Sequence, residues 1–160
     1  MSGIPEFDGF FEDEVIAELY LHIIFWTRKL QPVLTSTMLA AAREPLDQAM
    51  FKIEGEVLAC GGAADHLHII ARISPNHAAQ KASDVLRQSS QALVANESGI
   101  RNFKWHDVEL SVTLDPESME AFKESMTVQE AHHKTVPFQV ELTRILDEHE
   151  MDYDEQELWS

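Results

Sequence analysis

Two histidines one residue apart, His66 and His68, stand in the apolar run "DHLHIIARI". In an extended chain, side chains at i and i+2 leave the same face. The pair therefore projects together, while Leu67 and Ile69 face the other way, toward a core. Two imidazoles on one face suit a divalent cation once a third ligand arrives from elsewhere. Taken alone, such a pair is more often structural than metal-binding. His22, His77, His106 and His149 have no partner at a ligand spacing and read as structural or surface residues. His132 and His133 are helix neighbours that point in different directions. One of them is either a ligand or DNA contact, or a charge at a helix end.

The elements that must position the pair are legible from pattern. "ELYLHIIFW" (18–26) is rich in strand-formers and reads as a buried strand. "EVLACGG" and "DHLHIIARI" read as two strands of a hairpin across "GGAAD". "WHDVELSVTL" reads as a fourth strand. "STMLAAAREPLDQAMFKI" has helical composition, with Ser36 as a cap and Pro45 as a break. "NHAAQKASDVLRQSSQALVA" puts Ala82, Val85, Leu86 and Leu93 on one helical face. In "DPESMEAFKESMTVQEAHH", Asp115 is a good N-cap and Pro116 a good first helical residue. Met119, Phe122 and Met126 form its apolar stripe. "PFQVELTRILDEHE" is a last short helix, followed by "MDYDEQELWS", a polar tail closed by an aromatic. The order β-α-β-β-α-β-α predicts an α+β fold, a largely antiparallel sheet with helices packed on it.

The 160 residues suit one domain, with an acidic N-terminal segment (about 1–17) and an acidic C-terminal tail (about 147–160). The net charge is −16. Residues 1–18 carry six acids and no base, and residues 141–160 carry eight acids and one base, so the ends hold −13 of it. An acidic chain is a poor generic nucleic-acid binder, because phosphate contacts supply most non-specific affinity. The near-neutral middle can still carry a local basic groove. Cys60 is the single cysteine, which excludes an internal disulfide framework and a cysteine zinc cluster. No apolar run reaches the 18 residues of a membrane span, and "MSGIPEFDGFFEDE" lacks the order of a signal peptide. A cytoplasmic location is expected.

Several segments together resemble the single-tyrosine transposases of bacterial insertion sequences (the two-hundred/six-hundred-five type, with their repeat-associated relatives). The HUH motif of that family matches His66-Leu67-His68. "LYLHIIFWTRKLQPVL" is similar to the family's opening strand, a basic pair and then Gln-Pro. "VLRQSSQAL" is similar to its Ser-Ser helix, and "FKWHDVELSVT" to its aromatic strand. "VQEAHHKTVPFQVELTRILDEHEMDYDEQELW" is similar to its C-terminal third. The resemblance runs over residues 18–159, almost the whole chain.

The resemblance implies a ferredoxin-like HUH fold with a four-stranded sheet. It implies a Mg²⁺ or Mn²⁺ ion held by His66, His68 and Gln129, which polarises the scissile phosphate of single-stranded DNA. A tyrosine four residues before the glutamine attacks and forms a 5′-phosphotyrosine link. The family acts as a homodimer on single-stranded or hairpin DNA. Arg28, Lys29, Arg87, Arg101 and Lys104 are the candidate DNA contacts, with Arg72 a further cation to be placed.

The tyrosine is missing. Ser125 holds its position, and the chain's two tyrosines, Tyr20 and Tyr153, lie elsewhere. A serine hydroxyl is less acidic than a phenol and a whole ring shorter. In-line transfer needs the reacting atoms at roughly 3–3.5 Å. "WHDVELSV" also lacks the family's Gly-Tyr, and Leu86 replaces a usual lysine, with Arg87 adjacent. The expectation is a transposase-family protein for single-stranded DNA, compromised in cleavage. The alternatives are a domesticated, non-catalytic nucleic-acid-binding or protein-interaction module, or a decayed element product.

Overall fold

The structure is a computed structural model that describes residues 17–160. The acidic N-terminal segment therefore lies outside the described residues. Four strands, β1 (Leu19–Trp26), β2 (Glu56–Ala63), β3 (His66–Ile73) and β4 (Leu110–Thr113), form one sheet in the order β2-β3-β1-β4. Every neighbouring pair is antiparallel. This is the α+β arrangement that the order of elements predicts.

The two-residue period of the strands sorts their side chains onto two different faces. Leu21, Ile23 and Phe25 of β1 and Leu67, Ile69, Ala71 and Ile73 of β3 belong to one large apolar core. Three helices cover it: α1 (Ser36–Ala41), α2 (Arg43–Phe51) and α3 (Ala79–Ser98). They contribute Met38, Leu46, Met50, Ala82 and Leu86, all buried. Val85 and Leu93 of the expected face pack against the same core. Each fully buried side chain of this size stabilises by about 1.5–3 kcal/mol. Cys60 packs here too, and burial pushes its thiol pKa up, as befits a small hydrophobe.

The opposite face carries His22, Ile24 and Trp26 from β1 and His66, His68 and Ile70 from β3. It is covered by α4 (Met119–Thr127), α5 (Gln129–His132), α6 (Phe138–Glu148) and α7 (Glu155–Trp159). Its apolar residues fall into two smaller clusters. One joins Ile24, Trp26, Leu110, Phe138, Leu142 and Leu158. The other joins Ile70, Met119 and Met126, with Phe122 against it. Gly61 sets how closely α4 approaches the sheet. A Cβ there would stand 2.3 Å from the carbonyl oxygen of Met126. Only glycine permits that backbone-to-backbone approach.

Five local expectations are corrected. Thr35, in place of Ser36, caps α1, its hydroxyl accepting from the Met38 N–H at 3.2 Å. The break in the first helical stretch falls at Ala42, with Pro45 in the first turn of α2. A proline is tolerated there because the first-turn N–H groups lack intrahelical partners. The fourth strand covers only residues 110–113 of "WHDVELSVTL". His106 Nδ1 accepts from the Val108 N–H at 3.0 Å, a local turn that takes the chain out of the ladder. The third helical stretch is divided. Asp115 caps a 3-10 turn over Pro116–Ser118, α4 follows, and Val128 (φ −116°) interrupts before α5.

The polar tail, finally, folds back. Asp154 caps α7, Leu158 is buried, and Trp26 Nε1 donates to the Leu158 carbonyl at 2.9 Å. Its apolar residues, Leu158 and Trp159, pack into the cluster around Trp26, which offsets the cost of ordering an acidic segment.

Candidate metal centre

His66 and His68 leave β3 on the same face, as their spacing requires, and both are buried. Each ring is held from behind. His66 Nδ1 lies 2.7 Å from Asp65 Oδ1. His68 Nδ1 lies 2.8 Å from His22 Nε2, with the two rings stacked. His133 is fixed in the same manner, its Nδ1 donating to the Val136 carbonyl at 2.7 Å. Partners on Nδ1 leave the three Nε2 atoms free to act as ligands, which is how metal-binding imidazoles are oriented.

The Nε2 atoms converge. Gln129 Oε1 lies 3.1 Å from His66 Nε2 and 3.0 Å from His133 Nε2. Glu141 Oε1 lies 2.7 Å from His68 Nε2, and Glu141 Oε2 lies 2.9 Å from His133 Nε2. Ligand atoms of His66, His68, His133 and Glu141 all lie within 4.8 Å of one another. His68 Nε2 is buried and, despite its nearness to Glu141, lacks the angle of a hydrogen bond. Nitrogen and oxygen atoms able to act as ligands thus face one another across a small volume, a donor set that fits a divalent cation.

The helices bring these groups in by ordinary packing. Gly61 lets the C-terminal end of α4 rest on β2, opposite His68, and α5 then carries Gln129 over His66. Phe138 of α6 stacks on His66 with centroids 4.1 Å apart. Glu141 lies one turn further along the buried face of α6, beside Leu142. A cleft of about 480 Å³ opens next to the cluster, with His22 and His68 at its base and Phe122, Ser125 and Ile145 in its walls.

Burial dominates the electrostatics. It holds His22 down at a pKa of about 3, and the nearby His68 adds to the effect. It lowers His68 to about 4 against the opposing pull of the adjacent Glu141 carboxylate. Burial alone would raise the Glu141 carboxyl, but the imidazoles of His133 and His68 beside it outweigh this and hold the group well below the carboxylate range. His133 moves the other way. Burial disfavours its charged form, and the bonds to Glu141 and Val136 overcome this and raise its pKa.

The expected residues divide into those brought together and those that are not. His66, His68 and Gln129 meet. Ser125 lines the cleft, but its hydroxyl donates to the Phe122 carbonyl at 2.7 Å. Tyr153 turns its hydroxyl to Asp147 at 3.1 Å, and Tyr20 bonds Glu18. Arg28 pairs with Asp107, Arg72 with Glu56, and Arg87 with Glu109. Arg87 also lies over the Phe25 ring, a packing role as much as a charged one. Arg28 and Lys29 follow β1, and the Thr27–Trp105 bridge brings Lys104 to the same end, with Arg101 in the loop before it. Arg72 lies at the other end of β3, paired across to Tyr20.

Four side chains of the cluster lie outside the expected ligand set. His22, read as structural or surface, supports His68 directly. His132 and His133, expected to diverge, both reach Glu141 Oε2, at 3.3 and 2.9 Å, because α5 ends at His132. The sequence signal of Glu141 is a carboxylate set in the apolar stripe Phe138, Leu142, Ile145.

The chain matches the family model described as "Transposase IS200 like" over residues 15–124. It belongs to the IS200-like transposase family. The match to the IS200-like family covers the paired histidines and stops one residue before Ser125. Two solved structures share the fold. A Deinococcus radiodurans protein assigned to the transposases superposes with a TM-score of 0.57 at 15% identity, covering 72% of this chain and 94% of that one. A REP-associated tyrosine transposase bound to a REP hairpin gives 0.51 at 12% identity, covering 76% of this chain and 72% of that one. Among curated protein sequences none matches. The fold expected from the HUH resemblance is the fold found. Among the described residues, no helix is long and apolar enough to cross a membrane.

Proposed function

We propose that this IS200-like transposase binds single-stranded or hairpin DNA in a cation-dependent manner and is compromised in strand cleavage. The observation that carries the reading is the meeting of His66, His68 and Gln129 beside a cleft whose wall holds Ser125. His66 and His68, with Gln129 alongside, hold a divalent cation of the Mg²⁺ or Mn²⁺ kind. When bound, the cation supplies Lewis-acid polarisation of a phosphate oxygen. Gln129 is steadied for this by its contact with His133. Ser125 cannot replace a tyrosine, because its hydroxyl is short and is committed to the Phe122 carbonyl. Arg28, Lys29, Arg87, Arg101 and Lys104 remain the candidate DNA contacts, and a homodimer in the cytoplasm is the working assembly.

One observation favours a second reading, a non-catalytic binding or interaction module. Arg28 and Arg87 already have carboxylate partners, so a phosphate must compete for them.

The test is incubation of the protein with labelled single strands flanking its own gene, in Mn²⁺, followed by a denaturing protein gel. Intact binding on a parallel native gel without a covalent band is the expected result. A covalent band would overturn the loss of cleavage, and absence of binding would overturn the DNA reading. Ser125→Tyr is expected to create the band. A variant that binds cation and DNA yet forms no adduct would place the defect beyond this side chain.

A further inference from the structure

We propose that the cation site is a four-ligand His₃–carboxylate centre, formed by His66, His68, His133 and Glu141, that selects Zn²⁺ over Mn²⁺ and Mg²⁺. The inference rests on the metal reading above and deepens it. It changes the ligand set, with Glu141 and His133 as ligands and Gln129 as a neighbour that orients them.

Four observations carry it. The ligand atoms of these four residues lie within 4.8 Å of one another. The three rings have their Nδ1 atoms occupied, by Asp65, His22 and Val136, so the three Nε2 atoms are the ones presented. The carboxylate of Glu141 spans two of them, with one oxygen 2.7 Å from His68 Nε2 and the other 2.9 Å from His133 Nε2. His68 Nε2 is buried and makes no hydrogen bond there.

The selectivity follows from the donors and from their burial. Three imidazoles and one carboxylate are the borderline set that zinc takes in tetrahedral sites. Affinity for such nitrogen donors rises along the first transition row from Mn²⁺ to Cu²⁺, and Zn²⁺ lies well above Mn²⁺. Mg²⁺ prefers six oxygens and keeps several of its waters. The side chains here are 0% (His66), 1% (His68), 7% (His133) and 6% (Glu141) exposed, which leaves little room for a retained water shell.

The experiment uses the full chain, stripped with a chelator and dialysed, and titrated calorimetrically with ZnCl₂, MnCl₂ and MgCl₂. One Zn²⁺ per chain is expected, bound at least about 100-fold more tightly than Mn²⁺, with Mg²⁺ weaker still. Glu141→Gln and His133→Ala are each expected to weaken Zn²⁺ by at least about 100-fold, and Gln129→Ala, which removes only an orienting contact, by about 10-fold. Co²⁺ added to the unaltered protein gives a readout independent of any variant's folding. Intense visible absorption is expected from a four-coordinate site. The weak absorption of a six-coordinate ion would overturn the proposal, as would Mg²⁺ binding as tight as Zn²⁺. Folded Glu141→Gln and His133→Ala proteins with undiminished Zn²⁺ affinity would overturn it as well. In that last case, loss of binding in His66→Ala would leave the His66–His68–Gln129 reading standing. Retained binding in His66→Ala would overturn both.

Discussion

The two faces of one sheet are built from the same strands by opposite rules. On one face β1 and β3 present Leu21, Ile23, Phe25, Leu67, Ile69 and Ala71 to three helices, and the contact is mainly apolar. On the other the same strands present His22, His66 and His68, and the covering helices answer with Gln129, His133 and Glu141. The first face is stable on its own terms, since apolar contacts need no partner of particular chemistry. The second depends on complete pairing, since a buried polar group left alone is costly. A cation or a proton therefore matters to one side of the molecule and not to the other.

Ile69→Ala should have the largest effect. It opens a cavity at a fully buried site and should cost about 4 kcal/mol in urea unfolding, the same with cation or chelator. A cost that depends on the cation would mean the two faces are coupled through the sheet.

Acid comes next, acting on the other face alone. His22 and His68 titrate near 3 and 4 in the folded chain and near 6.5 when unfolded. As pH falls below about 6.5 the unfolded state takes up protons first, so stability is lost from there down to about 4. His68 contributes on the order of 3 kcal/mol to this loss. The depressed carboxyl of Glu141 has the same sign, losing its contribution at still lower pH. His133, with its raised pKa, has the opposite sign and weakens as pH rises. Urea titrations of chelator-treated protein at stepped pH measure the sum, and a flat profile from pH 7 to 4 would contradict the assignment.

Cation binding should follow closely. At 100 times its dissociation constant, a bound ion stabilises by about 2.7 kcal/mol. His66→Ala should abolish the Mn²⁺-dependent rise in melting temperature, and an unchanged rise would make the histidines structural. Arg28→Ala should have the smallest effect. It removes an exposed pair with Asp107 and should change stability by about 1 kcal/mol or less in thermal melts, less still in high salt.

Much of this architecture was legible in the sequence, and the reasons are specific. Alternation along "DHLHIIARI" gave the shared face of His66 and His68, and the stripe Met119, Phe122, Met126 gave the side of α4 that packs. The resemblance placed Gln129 beside the histidines. What escaped notice depends on pairings that no local pattern contains. His22 reaches His68 through the register that sets Ile24 opposite His68 and His22 opposite Ile70. His133 and Glu141 meet across the turn between α5 and α6. The tail reads as solvated because its charges outnumber its apolar residues, yet Tyr153, Leu158 and Trp159 pack into the cluster around Trp26 and dock it.

Gly61 has a consequence for how the molecule tolerates change. Its contact with the Met126 carbonyl is backbone against backbone, so no side chain can swing aside to make room. Most positions in the large core have some slack, because a neighbour can choose another rotamer. This one has none. A methyl group there must lift the end of α4, and with it Gln129, away from β3. In a scan of all single substitutions Gly61 should rank among the least forgiving sites, although it bears no functional group at all.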